Sequence, residues 1–284
     1  MLYSFLITVR EGFEIGLIVA IVLGYLARTG NRRHFREVWL GTAAAAALSV
    51  GVAAGLQLAA TELSGAAREA FEGFTMLLAV GVLTWMVFWM RRQAASLGRD
   101  LRVQVEVALR RGSILALAAL AFSAVAREGL ETVLFLFAGS SAQRGDSTAL
   151  YLGGGLAGFA VAAGLSWLVY RGSHVLPMRQ FFTVTGAVVL VLAAGLLTNG
   201  IGALQTAGVI GNLGARPWDT DSIVSMASTG GQFLHTLIGY DSAPTWGQIV
   251  LYWAYLLAGL TAFVGGLGAR PAGRPAGRPA EARH

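Results

Sequence analysis

Two short clusters hold the residues of this chain that could do chemistry. They are Arg10, Glu11, Gly12, Phe13, Glu14 and, 117 positions later, Arg127, Glu128, Gly129, Leu130, Glu131. Each interrupts an apolar run long enough to span a bilayer, roughly 20 residues. An ionised side chain at membrane depth costs several kcal/mol, so it persists where it pairs, meets water or binds a substrate. On a helix, positions three or four apart share a face. Glu11 therefore aligns with Glu14, Glu128 with Glu131, and each arginine reaches the second glutamate of its own cluster. Four carboxylates and two guanidiniums leave a formal charge of −2, which attracts a multivalent cation. The donors are hard oxygens and the chain has no cysteine. That suits iron in either oxidation state, manganese, magnesium or calcium, and argues against a soft copper(I) site. Two other readings use the same residues. Internal salt bridges could hold helices together, or the glutamates could carry protons for another solute. The duplication and the surplus of acid over base favour a cation site. Gly12 and Gly129 leave room for close helix approach.

Long apolar helices must position these groups. Only 13% of residues are charged, about half the usual share, and mean hydropathy is +0.63. Seven apolar segments stand out, at about 2–28, 38–60, 70–90, 113–138, 149–170, 180–200 and 246–268. The first lacks a basic leader region and carries Arg10, Glu11 and Glu14, so it reads as a retained span. Every basic residue is arginine. Sixteen of the arginines fall in alternate gaps and the tail, against Arg68, Arg144 and Arg216 in the intervening gaps. This distribution follows membrane topology and argues against nucleic-acid binding. It predicts an outside N-terminus and a cytoplasmic C-terminus in the cytoplasmic (inner) membrane. The alternation requires an odd number of spans.

The expected fold is an all-α polytopic membrane protein of seven transmembrane helices. The motifs lie in segments one and four, three spans apart, which predicts a 3+3 inverted repeat with one added C-terminal helix. Gly81-Val82-Leu83-Thr84 recurs as Gly195-Leu196-Leu197-Thr198, 114 positions later, an offset close to that of the motifs. The expected parts are a first repeat at 1–90, a cytoplasmic amphipathic linker at 91–112 and a second repeat at 113–200. An outer loop follows at 201–245, then the seventh helix at 246–268 and a disordered tail at 269–284. Counted from the outer ends, Glu11 and Glu14 lie roughly 14–18 Å deep, and Glu128 and Glu131 roughly 10–15 Å. Oppositely running helices would bring the four to similar depth.

Weaker signals lie towards the outer side. Glu69 and Glu72 form another i, i+3 pair beside Arg68, and the positions 114 further on are Thr183 and Gly186. The pair is thus unduplicated. It reads either as a helix-start cap or, with Asp219, as an outer recruitment site. His235 and Asp219 otherwise read as solvated loop residues in the Gly-rich 201–245 stretch, whose length suggests a functional or partner-facing loop. Tyr252 and Tyr255 read as interfacial anchors. Residues 91–112 carry Leu97, Leu101, Val105 and Leu109 at four-residue spacing and read as a connecting helix on the membrane surface. The four histidines suggest no cluster or nucleophile–base pair, so an enzyme is not expected.

The doubled R-E-G-x-E, read here as REGFE at 10–14 and REGLE at 127–131, resembles the oxidase-dependent iron permeases of fungi and bacteria. The likeness extends to the Glu-rich entry of segment three with Leu83-Thr84-Trp85-Met86-Val87-Phe88-Trp89, to Trp218-Asp219, and to Gly239-Tyr240 before Pro244. Phe13 stands where the familiar motif has leucine. This resemblance implies import of iron as substrate, with no permanently bound cofactor. It implies Glu11, Glu14, Glu128 and Glu131 as ligands, supported by Arg10 and Arg127. It also implies partners: a multicopper ferroxidase in the fungal system, a cupredoxin-like extracytoplasmic protein and a haem peroxidase in the bacterial one. Some relatives are tied to lead, so another divalent cation such as lead or manganese is the alternative cargo.

Overall fold

The computed structural model describes residues 1–93, 96–110, 114–143, 148–171, 178–226 and 228–268. Among these, every regular element is helical: α1 (Leu2–Arg28), α2 (Phe35–Glu62), α3 (Gly65–Gln93), α4 (Leu97–Arg110), α5 (Ile114–Ala142), α6 (Thr148–Tyr170), α7 (Met178–Thr206), α8 (Thr229–Ile238) and α9 (Trp246–Gly268), with a 3-10 turn at Arg32–His34. The expected tail at 269–284 lies outside the described residues, as does Arg144.

Helices of 23 to 29 residues run roughly 35–44 Å and satisfy their own backbone groups, as an apolar solvent demands. Five are long and apolar enough to cross a membrane: Arg32–Glu62, Gly65–Gln93, Thr148–Tyr170, Gln180–Thr206 and Trp246–Gly265. The other two long helices, α1 and α5, match them in length but carry the Arg/Glu motifs. The protein is an integral membrane protein. Its exposed surface accordingly displays large apolar residues such as Trp39, Leu48, Leu156 and Trp253. Gly65, at φ +55°, takes the left-handed conformation that glycine tolerates best and lets α3 start with only two residues between it and the end of α2.

The tightest packing is not between chain neighbours. α1 packs most extensively on α6, α2 on α5, and α3 on α7, while α1 also crosses α5. Small residues make these approaches close. A side chain at Gly158 would strike Thr8 and Phe5 of α1, and one at Gly41 would strike Ala118 and Phe122 of α5. Ser166 faces Gly16, and Ser49 faces Gly129. Both serine hydroxyls are tied to the carbonyl four residues back, Ser49 to Ala45 and Ser166 to Ala162. Gly41, Ala45 and Ser49 precede Gly158, Ala162 and Ser166 by the same 117 positions that separate the motifs. The 81–84 and 195–198 echo behaves otherwise. Gly195 abuts Gly239 at the end of α8, whereas nothing lies near Gly81.

Two local details are added by the structure. α4 buries Leu101 and packs Val105 and Ala108 in one cluster with Val22, Leu26, Leu117 and Ala121 of α1 and α5. The four-residue spacing marked its apolar face, and tertiary packing chose the partner. The Tyr255 hydroxyl lies 2.6 Å from Thr84 Oγ1 and ties α9 to α3. Tyr255→Phe is expected to lower stability by about 1 kcal/mol, read as a lower midpoint of thermal unfolding in detergent; an unchanged midpoint would show the bond contributes nothing net.

Candidate metal centre

The motif helices α1 and α5 run antiparallel. The Tyr3 hydroxyl donates to the Phe135 carbonyl at 3.1 Å, Glu11 gathers with Glu128 and Glu131, and Val22 and Leu26 share a cluster with Leu117 and Ala121. Contacts advance along one helix as they recede along the other. Gly12 faces Phe159 and Ala162 of α6, and Gly129 faces Ser49 of α2. The motif glycines thus seat each motif helix on a neighbour. α1 is helical from Leu2, so its glutamates sit in mid-helix rather than at a cap.

Glu11, Glu128 and Glu131 each offer a carboxylate oxygen, and the three oxygens lie within 4.8 Å of one another. Glu14 lies outside this group. Glu11 is fully buried, Arg10 and Glu14 are 1% and 2% exposed, and Glu128 is 5% exposed. Arg10 donates from Nη1 to Glu11 Oε1 at 2.8 Å and places Nη2 3.2 Å from Glu14 Oε1. Arg127 Nε lies 3.0 Å from Glu131 Oε1 and 3.8 Å from Glu128 Oε1.

The division of labour within each carboxylate matters most. Glu11, Glu128 and Glu131 all turn Oε1 towards an arginine, and all leave Oε2 buried without a hydrogen-bond partner. Both oxygens of Glu14 also lack a hydrogen bond, the 3.2 Å approach to Arg10 being a charge contact outside hydrogen-bond geometry. A buried carboxylate oxygen with no partner forfeits its hydration, typically at a cost of 1–3 kcal/mol or more for a charged group. Several such oxygens in one place suit a positive ligand far better than a purely structural network, which would satisfy them. Magnesium-, calcium- or iron-like ions accept this donor set.

The weaker candidates scatter. Glu72 is buried and accepts from Arg68 Nε at 2.8 Å. Glu69 lines a polar cavity of about 770 Å³ at the end of the bundle that carries the 207–228 loop, together with Asn199, Asn212, Asp241 and Gln248. Asp219 is exposed, and its Oδ1 accepts from the Asp221 amide. It does not line that cavity. His235 is a strut: Nδ1 lies 2.7 Å from the Tyr240 carbonyl and Nε2 3.2 Å from the Ala142 carbonyl, joining α8 to the end of α5. Sequence reasoning placed Asp241 only in the outer loop and overlooked Asn199 and Gln248, all three of which the fold assembles around this cavity. It also gave no role to Met86, whose sulfur lies 3.8 Å from Arg10 Nη1.

The family model described as the Iron permease FTR1 family matches residues 1–267. The protein named ferrous iron permease EfeU from Escherichia coli O6:H1 is 36% identical over 266 residues, covering 93% of this chain and 95% of its own length. The proteins of the same name from Shigella sonnei and Yersinia pestis are 36% and 35% identical, each over 93% of this chain. No solved structure matches at a significant level. With a match along nearly its whole length, and relatives of comparable length 35–36% identical, this chain belongs to the Iron permease FTR1 family.

Proposed function

We propose that this permease imports iron across the cytoplasmic membrane through a carboxylate site in which Glu11, Glu128 and Glu131 ligate the ion, Glu14 balances its charge, and Arg10 and Arg127 orient the carboxylates. One observation carries the site: three buried glutamate oxygens converge within 4.8 Å while each of those glutamates keeps an unpartnered oxygen. The relatives are named for ferrous iron, and an oxygen donor set accepts that ion. Manganese fits the same donors, so the test includes it as competitor.

The transport architecture is a seven-span bundle with the N-terminus outside and the C-terminus cytoplasmic. Its repeats comprise α1–α3 and α5–α7, joined by α4, with α9 added. The exchanged packing supports the repeat: the first helix of each unit lies on the second of the other, and Gly-Ala-Ser stripes at a constant offset line both interfaces. Iron enters from the cavity holding Glu69 and Asp241, with Glu72 three positions from Glu69, and an oxidase or cupredoxin-like partner would release it there. It leaves when the repeats rock and the α4 cluster of Val105 and Ala108 opens.

Proteoliposomes carrying the wild-type chain should accumulate ferrous iron, with manganese competing weakly, and those carrying Glu128→Gln should match empty vesicles. Equal accumulation by the variant would remove the site. Uptake of an unrelated solute driven by a proton gradient, with iron inert, would remove the cargo.

A further inference from the structure

The two motifs are twins in sequence but not in surroundings. Arg10 is enclosed by protein and holds two glutamates of its own helix. The Arg127 side chain is 34% exposed, makes one well-formed hydrogen bond, Nε to Glu131, and leaves Nη2 buried without a partner. Its guanidinium rests instead on α3. The Arg127 Cζ lies 4.2 Å from the ring centre of Trp89 and 5.3 Å from that of Trp85. The two indoles, four residues apart on one helix face, stack at 5.9 Å with 23° between their planes. A cation over an indole face is drawn by the ring quadrupole, most strongly where water is excluded. The positions 114 further along are Asn199 and Ala203, so the other half lacks this device.

Taking the carboxylate site as read above, we propose that Trp89, aided by Trp85, is a positioning residue of the cation site. The indoles hold the Arg127 guanidinium where its Nε faces both Glu128 and Glu131. Glu131 Oε1 is thereby hydrogen-bonded and Glu128 Oε1 held in charge contact at 3.8 Å, while the unpartnered Oε2 atoms are left for the ion. The usual account of membrane tryptophans, contact with lipid at the interface, explains the exposure of Trp85 but not ring faces directed at a guanidinium. Without the indoles Arg127 is free to swing outwards, and two of the three ligands lose their orientation. Supporting partners of metal ligands commonly contribute 10- to 100-fold in affinity.

The test is binding of Mn²⁺ to the purified full-length protein in detergent, followed by the electron paramagnetic resonance signal of the free ion, with thermal midpoints recorded in parallel. Trp85→Leu/Trp89→Leu should bind at least about 10-fold more weakly than wild type in protein that remains folded well above the assay temperature, while Trp89→Phe, which keeps a ring face, should bind close to wild type. Wild-type affinity in the double leucine variant, alongside loss of binding in Glu11→Ala, overturns the tryptophan role and leaves the carboxylate site standing. Equal weakening in Trp89→Phe and Trp89→Leu also overturns it, since bulk rather than the aromatic face would then matter. Full binding by Glu11→Ala removes the site itself, and the positioning role with it.

Discussion

Glu11→Gln, Glu128→Gln and Glu131→Gln should each bring iron uptake into proteoliposomes down by roughly 100-fold or more, to the level of empty vesicles, whereas Glu14→Gln should leave measurable transport. The ordering follows from geometry. Three of the four motif glutamates contribute oxygens to one cluster within 4.8 Å, and Glu14 does not. An amide preserves shape and bulk but removes a negative charge, so the cation loses a ligand rather than the helices losing a contact. Removing a group that merely supports a ligand already costs metal sites 10- to 100-fold, and removing the ligand should cost more. Glu14 lies 3.2 Å from Arg10, and its loss leaves that guanidinium with Glu11 alone. Weaker retention of the ion is then expected, not abolition. The measurement is the initial uptake rate per reconstituted protein, with expression and elution profile matched. A Glu14→Gln variant as dead as Glu11→Gln would mean that four carboxylates ligate the ion.

The second large effect concerns the scaffold. Gly158→Leu and Gly41→Leu should prevent accumulation of folded protein, because the backbone of a neighbouring helix occupies the space. A Cβ at Gly158 would lie 2.6 Å from the Phe5 carbonyl oxygen, and one at Gly41 would lie 3.0 Å from the Phe122 amide nitrogen. Neither atom can rotate away as a side-chain tip can. Overpacking in a close-packed interior costs about 1–3 kcal/mol and sometimes more, and an added leucine against backbone belongs at or beyond the top of that range. Gly153→Ala and Gly164→Ala are the controls, since nothing lies within 4 Å of either position. They should not destabilise, and their helix propensity should add up to about 0.5–1 kcal/mol. Size-exclusion profiles and thermal midpoints in detergent separate the two classes. Normal behaviour of Gly158→Leu would show that the α1–α6 interface can open without unfolding, contrary to a tightly seated motif helix.

The long helices were legible because hydropathy is a local property: the seven apolar segments correspond to α1, α2, α3, α5, α6, α7 and α9. The pairing of arginine with glutamate was legible for the same reason, since i, i+4 spacing needs only one helix, and both predicted pairs are present at 3.0–3.2 Å. The use of the motif glycines for close approach was legible too, but not their partners, because a glycine shows that something comes near without saying what. Trp85 and Trp89 carried a usable signal, two indoles on one face of α3. Connecting them to Arg127 required knowing that α3 and α5 are neighbours.

The sequence alone therefore determined the membrane character, the helices, the duplicated charged motif and the family to which it points. All of these rest on residues near one another along the chain. Only the tertiary structure decided that α1 seats on α6 and α5 on α2, that Glu14 stands apart from the other three motif glutamates, and that Arg127 is cradled by α3 while Arg10 is enclosed. Asp219 and Asp241 show the same division: equivalent on paper as acids of the 201–245 stretch, they fall on either side of α8, and of the two only Asp241 lines the polar cavity. The physical reason is that helix formation is governed by hydrogen bonds and periodicity over a few residues, whereas convergence of oxygens within a few ångströms depends on packing between helices more than a hundred residues apart in the chain.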